Sequence, residues 1–333
     1  MNLPDCSLLL TGGTGFIGRA LLRHWESNPP DRPYRVVAIS RDPQAFAQSF
    51  PELAGAPWLE LRHGDVTALD SLPRESFDAV IHAAADSTMG PQLSPLRRYT
   101  QIVDGTRHLL DLAVSTRARR FLLLSSGAVY GSRSSNQVDP EESDCNAPDP
   151  LSPLNAYGMA KRTAEHLCAL AHHEHGLEFV IARCFAFVGR DLPLNVHFAI
   201  GNFIRDALWR NQIEVAGDGT PIRSYMDQRD LSRWLLTLIC RAKPGQAYNV
   251  GSEETVTVAQ IAHLVRDTLA PAKSVLIAST QRSEMRSRYV PSTRKAREEL
   301  GLDLTHTLVE SVQETAKHAG QPPKDRSGLM DAA

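Results

Sequence analysis

Apolar residues cluster in short, nearly unbroken runs through the first half of the chain: "SLLLTG", "RVVAIS", "WLELR", "DAVIHAAA", "RFLLLSS" and "FVIARCF". Runs of this kind predict parallel strands buried on both faces. Between them, "IGRALLRHWES", "VDGTRHLLDLAVST" and "AYGMAKRTAEHLCALAHHE" carry helical spacing. The β-α-β-α alternation predicts an α/β fold with a doubly wound parallel sheet. After residue 185 the rhythm changes. Short strands ("IEVAG", "AYNVG") mix with helices ("DLSRWLLTLICRA", "VAQIAHLVRDTL"). The expected division is a sheet domain over 1–185, to which later segments return, and a smaller mixed α/β lobe over 186–318. A flexible polar tail is predicted over 319–333. The stretch from Ser132 to Asn155 has little pattern and four prolines. A long irregular connection inside a compact domain is often functional.

Composition adds only exclusions. The 333 residues carry a net charge of −2, which provides no general attraction to nucleic acid or acidic membranes. No run approaches the ~18 apolar residues of a spanning helix. The opening "MNLPDCSLLLTGG" reads as a first strand and not as a leader. Five cysteines are scattered singly, which suggests reduced thiols in a cytoplasm and no metal site.

"TGGTGFIG", residues 11–18, lies where the first strand meets a helix. Gly12 permits the tight turn, Gly15 lets backbone approach a pyrophosphate, and Gly18 lets the helix pack near the sheet. With Thr14, Phe16 and Ile17 these residues form a candidate dinucleotide-phosphate site, so the sheet is expected to be of the Rossmann type. The end of the second strand selects the dinucleotide. An acid there binds the ribose hydroxyl of NAD; here Ser40 and Arg41 follow "AI", and arginine suits a 2′-phosphate. NADP(H) is therefore favoured over NAD(H). Asp42 is the competing feature, able to pair with Arg41 or take the ribose itself. Arg19 is a further phosphate candidate, against its reading as an exposed helix position.

"YGMAK" places Tyr157 and Lys161 at i, i+4, on one helix face. A phenol with a pKa of about 10 is a poor acid at neutral pH, and a nearby ammonium lowers it. Ser125 and Ser126 end a predicted strand, where ligands meet such sheets. Serine, tyrosine and lysine together can give a proton to a carbonyl oxygen or take one from an alcohol.

In this order, TGGTGFIG, HGDV, HAAA, SSGAVYG, YGMAK, GDGTPIRSYM and YNVGS resemble the extended short-chain dehydrogenase/reductases of the nucleotide-sugar epimerase/dehydratase family. The resemblance covers roughly residues 5–318. It implies that Asp65 and Val66 contact adenine and that Ala83 and Ala84 line the cofactor channel. It implies Ser126, Tyr157 and Lys161 as the catalytic set, with Tyr157 and Lys161 also touching the cofactor. Arg223 would grip the substrate diphosphate, and Arg282 is a second phosphate candidate in the substrate-binding lobe. A homodimer through two helices is implied as well.

Departures narrow the activity. The family's 4,6-dehydratases carry an Asp-Glu pair where this chain has Gly127 and Ala128, so dehydration is not expected. Ala186 and Ile102 replace frequent asparagines. His197 and Cys145 are candidates for an additional acid/base, with His197 placed among substrate contacts. The leading expectation is an NADP(H)-dependent reductase of a nucleotide-diphospho-4-keto-6-deoxysugar. A 4-epimerase with tightly bound NAD is the alternative, and a non-catalytic binding protein on the same fold the minor one.

Overall fold

The computed structural model describes residues 1–85, 92–278 and 286–320. In chain order the first part runs β1 (Ser7–Thr11), α1 (Phe16–Ser27), β2 (Arg35–Ser40), α2 (Pro43–Ser49), α3 (Pro51–Ala54), β3 (Leu59–His63), β4 (Ala79–His82), α4 (Pro95–Ser115) and β5 (Arg120–Ser126). It continues with β6 (Arg133–Ser134), α5 (Ala156–His175), β7 (Glu178–Cys184), β8 (Phe187–Val188), α6 (Ala199–Trp209), β9 (Ile213–Val215), β10 (Ile222–Arg223) and β11 (Met226–Asp227). The remainder is α7 (Gln228–Arg241), β12 (Gln246–Val250), β13 (Val256–Thr257), α8 (Val258–Leu269), β14 (Val275–Ile277), β15 (Ser287–Tyr289), α9 (Arg294–Leu300) and α10 (Leu308–Lys317).

Seven strands form one sheet in the order β12-β7-β5-β4-β1-β2-β3, every pair parallel. This is the doubly wound Rossmann arrangement. The strand order reverses between β1 and β4, and ligands of such sheets bind beyond the carboxyl ends of the strands at that switch. Both sheet faces are covered, which is why the strand runs are apolar without alternation. All five residues of β1 and all seven of β5 are buried. On one face Leu8, Leu10 and Leu122 pack with Leu21 and Trp25 of α1 and Leu235 and Leu238 of α7. On the other, Leu9, Val80, Phe121 and Leu123 pack with Leu109 and Ala113 of α4 and Ala160 and Ala164 of α5.

A second, mixed four-stranded sheet has the order β13-β10-β15-β6, and a further apolar cluster lies in the second half of the chain. That cluster gathers Ile200, Phe203 and Ile204 of α6 with Ile261 and Val265 of α8 and Val312 of α10. The chain crosses between the two sheets. "AYNVG" pairs with β7 as the edge strand of the large sheet, and β6, from the Ser132–Asn155 connection, pairs with β15. Residues 321–333 of the predicted tail lie outside the described residues.

A buried polar network braces the sheet below the cleft. Arg183 of β7 reaches Glu165 of α5 through Nε and Nη2, with Nη2 at 2.8 Å from Oε2. Glu165 also accepts from Ser125 Oγ at 2.5 Å. Arg183 donates to the Tyr130 hydroxyl, which donates to Asn249 Oδ1 on β12, each at 2.8 Å. Side-chain exposures of 13% and 10% for Arg183 and Glu165 make the pair costly to break from one side. Glu165→Ala should lower stability to denaturant by about 3 kcal/mol or more, because the guanidinium stays buried without its carboxylate. Adding Arg183→Met to Glu165→Ala should recover part of that loss.

Candidate active site

The glycine turn is built by contact and not by flexibility alone. Gly12 has φ +71°, and a Cβ there would stand 2.6 Å from the Ala83 carbonyl carbon and 2.8 Å from the Ala84 nitrogen. A Cβ on Gly18 would fall 2.3 Å from the Gly12 oxygen. The strand, turn and helix therefore meet backbone to backbone. No side chain caps α1, whose N-cap is Gly15, so its first-turn amides suit an anion. A groove of about 370 Å³ runs from here between Gly12, Gly15, Ser40, Arg41, Asp65 and Val66, with Ala83 and Ala84 on its wall. This cradle fits a dinucleotide. Thr14 and Phe16 line it too and continue, with Ile17 and Gly18, into the adjoining cleft.

Two neighbours of the groove have other tasks. Asp42 caps α2, its Oδ1 accepting from the Ala45 amide at 2.9 Å. Arg19 is engaged by the protein itself: its Nε donates to Asp191 at 3.2 Å and its Nη1 to the Thr14 carbonyl of the phosphate turn. With Arg23, it ties α1 to the buried Asp191 of the segment after β8. Asp65 holds Thr67 through its carboxylate, and the Val66 carbonyl contacts His108 Nδ1 at 2.9 Å.

A cleft of about 660 Å³ opens beside the groove. Ser126, Tyr157 and Lys161 line it together with Arg223 and His197. Successive strand residues face opposite sides, so Ser125 and Ser126 part company. Ser125 is spent on Glu165, whereas Ser126 Oγ lies in the cleft, accepting from the Ala128 amide at 3.2 Å. Helix α5 comes close because residue 158 is glycine; a Cβ there would stand 2.5 Å from the Ala128 oxygen. Lys161 is buried and donates from Nζ to the Leu124 carbonyl at 2.7 Å. Burial pulls its pKa down to about 8. Burial pushes the Tyr157 phenol up; a hydrogen bond to Ser126 and the charge of Arg98 oppose this. The expectation was that the lysine lowers the tyrosine; the charge that opposes burial in this structure is that of Arg98. Lys161 gives one of its three N–H donors to a backbone carbonyl, and the guanidinium over the Tyr157 ring, 4.2 Å from its centroid, belongs to Arg98 of α4.

Arg223 contacts the Ile222 and Ser287 carbonyls and the Ser287 hydroxyl, and burial lowers its pKa. His197 lines the cleft with its ring 4.4 Å from that of Phe198, the two planes tilted by 48°. Cys145 is exposed and does not line the cleft. Arg282 lies outside the described residues. Two side chains of the site were not anticipated. Tyr289 arrives from β15, 163 residues from Ser126, with its hydroxyl 3.2 Å from Ser126 Oγ. Its ring packs against Phe185 with centroids 4.8 Å apart and the planes tilted by 39°. Arg98 is the other. Neither has a local motif; only the crossing of β15 and the packing of α4 on α5 bring them in.

Residue 127 is closely packed by Phe185. A Cβ on Gly127 would meet the Phe185 ring at 2.6 Å. Among the described residues no group of His, Cys, Asp and Glu is arranged to hold a metal ion, and no helix is long and apolar enough to cross a membrane.

A Rossmann sheet with a phosphate turn, opening onto a Ser/Tyr/Lys cleft, defines a short-chain dehydrogenase/reductase architecture. Residues 8–251 match the family model described as the NAD dependent epimerase/dehydratase family, and the chain belongs to that family, among the extended short-chain dehydrogenases/reductases. It is 30% identical over 327 residues to a dTDP-glucose 4,6-dehydratase of Streptomyces griseus, covering 93% of this chain and 94% of that one. It is 29% identical over 300 residues to UDP-glucuronic acid decarboxylase 3 of Arabidopsis thaliana, covering 90% and 84%. In fold it is similar to the UDP-glucose 4-epimerase of Thermotoga maritima, with a TM-score of 0.78 at 22% identity over 94% of this chain and 98% of that chain. The dTDP-glucose 4,6-dehydratase of Streptomyces venezuelae, solved with NAD and TYD bound, gives 0.79 at 24% identity over 94% and 96%.

The buried lysine carries a pH signature. Its folded pKa of about 8 lies below the ordinary 10.5, so the unfolded chain binds more protons between those values. Stability should therefore rise with pH across that window, by on the order of 3 kcal/mol relative to Lys161→Met, as read from denaturant midpoints.

Proposed function

We propose that the protein is a nucleotide-sugar oxidoreductase that reduces a nucleotide-diphospho-4-keto-6-deoxysugar with NADP(H). The observation that carries this reading is the convergence of Ser126, Tyr157 and Lys161 with Arg223 in one cleft beside the phosphate turn. Arg223 suits a diphosphate, and Ser126 orients the sugar oxygen. Bound nicotinamide supplies the hydride in such a site. Tyr157 gives its proton to the carbonyl oxygen as that oxygen gains charge, and Lys161 holds cofactor ribose. The relatives named as acting on dTDP- and UDP-linked sugars support the substrate class.

Three features favour reduction. Phe185 fills the direction an acid on residue 127 would take, which argues against removal of water. Ser40 and Arg41 border the groove, and Asp42 is occupied as a helix cap, which together favour a 2′-phosphate. The second reading, a 4-epimerase that retains NAD, draws on the solved relatives that carry NAD. In either case we place the enzyme in the cytoplasm, in keeping with its free cysteines. We also infer a homodimer, since Leu96 at the start of α4 and Leu151 and Leu154 just before α5 are exposed apolar side chains.

The purified protein should release no stoichiometric nicotinamide nucleotide on denaturation and should bind NADPH in preference to NADH. Trapped NAD would overturn the reductase in favour of the epimerase. Arg41→Ala should weaken NADPH binding about 10- to 100-fold, the worth of charge-assisted hydrogen bonds, with little effect on NADH. Tyr157→Phe should reduce turnover about 100-fold or more while leaving cofactor affinity nearly unchanged.

A further inference from the structure

Tyr157 is approached from several elements. Arg98 of α4 covers its ring, Ser126 at the end of β5 faces its hydroxyl, and Lys161 stands one turn along α5. Cys184 of β7 and Tyr289 of β15 complete the inner wall, while His197 and Arg223 line the cleft farther out. The cations are not equivalent. Lys161 directs its ammonium at the Leu124 carbonyl, and Arg223 directs its guanidinium at Ser287. Arg98 lies over the ring, and it lines both the cofactor groove and the cleft.

The placement is built into the packing of α4 on α5. Ser94 caps α4, accepting from the Arg97 amide. The next residue after Arg98 locks the helices in register: the Tyr99 hydroxyl meets Thr163 Oγ1 at 3.0 Å. A planar guanidinium against an aromatic face is attracted by the ring quadrupole, more strongly where water is excluded. A phenolate puts further negative charge on that ring, so the attraction grows as the proton leaves.

We propose that Arg98 is a positioning residue for proton transfer: its guanidinium, held against the Tyr157 ring, stabilises the phenolate and keeps the hydroxyl aimed at Ser126. The inference rests on the reading of Tyr157 as the group that transfers the proton. In that step the Tyr157 O–H bond breaks, a new O–H bond forms on the substrate oxygen, and the negative charge passes to the phenolate that Arg98 faces. Solvent then returns the proton to Tyr157.

The test needs no substrate. Difluorotyrosine, whose hydroxyl is more acidic than that of tyrosine, is incorporated at position 157 of the full chain and titrated by fluorine NMR. In Arg98→Met, and in Arg98→Gln as a second neutral variant, the midpoint should rise by about one pH unit. Arg98→Lys should recover at least half of the shift. An unmoved midpoint in the neutral variants would overturn the proposal. So would a lysine variant displaced as far as Arg98→Met, because lost packing and not lost charge would then be the cause. Failure of the functional reading looks different: Tyr157→Phe would retain turnover while the fluorine midpoint still moved.

Discussion

Helix α5 must lie flush against the end of β5, and the site depends on that contact. Gly158 removes the one Cβ that would collide with the Ala128 carbonyl. The close approach carries Lys161 to the Leu124 carbonyl and Glu165 to Ser125, one helical turn apart. These two bonds set the rotation of the helix, and the rotation sets Tyr157 against Ser126. The Arg183–Glu165 pair then secures the same helix to β7. The chemistry of the first turn of α5 thus rests on buried polar bonds in its second and third turns.

Burial gives the site its electrostatic character. Removing water raises the phenol and lowers the ammonium, so both groups are held closer to neutral than in solution. Cationic side chains, Arg98 and Arg223, border the cleft, while the inner wall at Gly127 is closed by Phe185 and Tyr289. The two arginines give the cleft a cationic border, and residues 127 and 128 add no carboxylate to it. The pairing of β6 with β15 matters here, because β15 carries Tyr289 to the carboxyl ends of β5 and β7.

Much of the fold was legible in the chain. The apolar runs of β1, β2, β4, β5 and β7 announced a buried parallel sheet, since strands covered on both faces have no polar side to show. The phosphate turn was legible because backbone contact leaves only glycine at Gly12 and Gly18. The i, i+4 spacing of Tyr157 and Lys161 declared a shared helix face. Other features were silent. "AYNVG" has no local mark of its pairing with β7, and the role of Asp42 as a helix cap depends on how the backbone turns after β2.

The sequence by itself determined the parallel sheet and the glycine turn, because those follow from short-range periodicity and from backbone contacts that leave no room for a Cβ; it named Tyr157 and Lys161 by their spacing and Ser126 by a family resemblance. Only the tertiary structure decided which cation faces Tyr157, which serine is spent on Glu165, that Arg19 braces Asp191, and that Phe185 fills the space beside Gly127. Each of these is a contact between residues distant in the chain. Its energy depends on burial and distance, quantities that no local spacing carries.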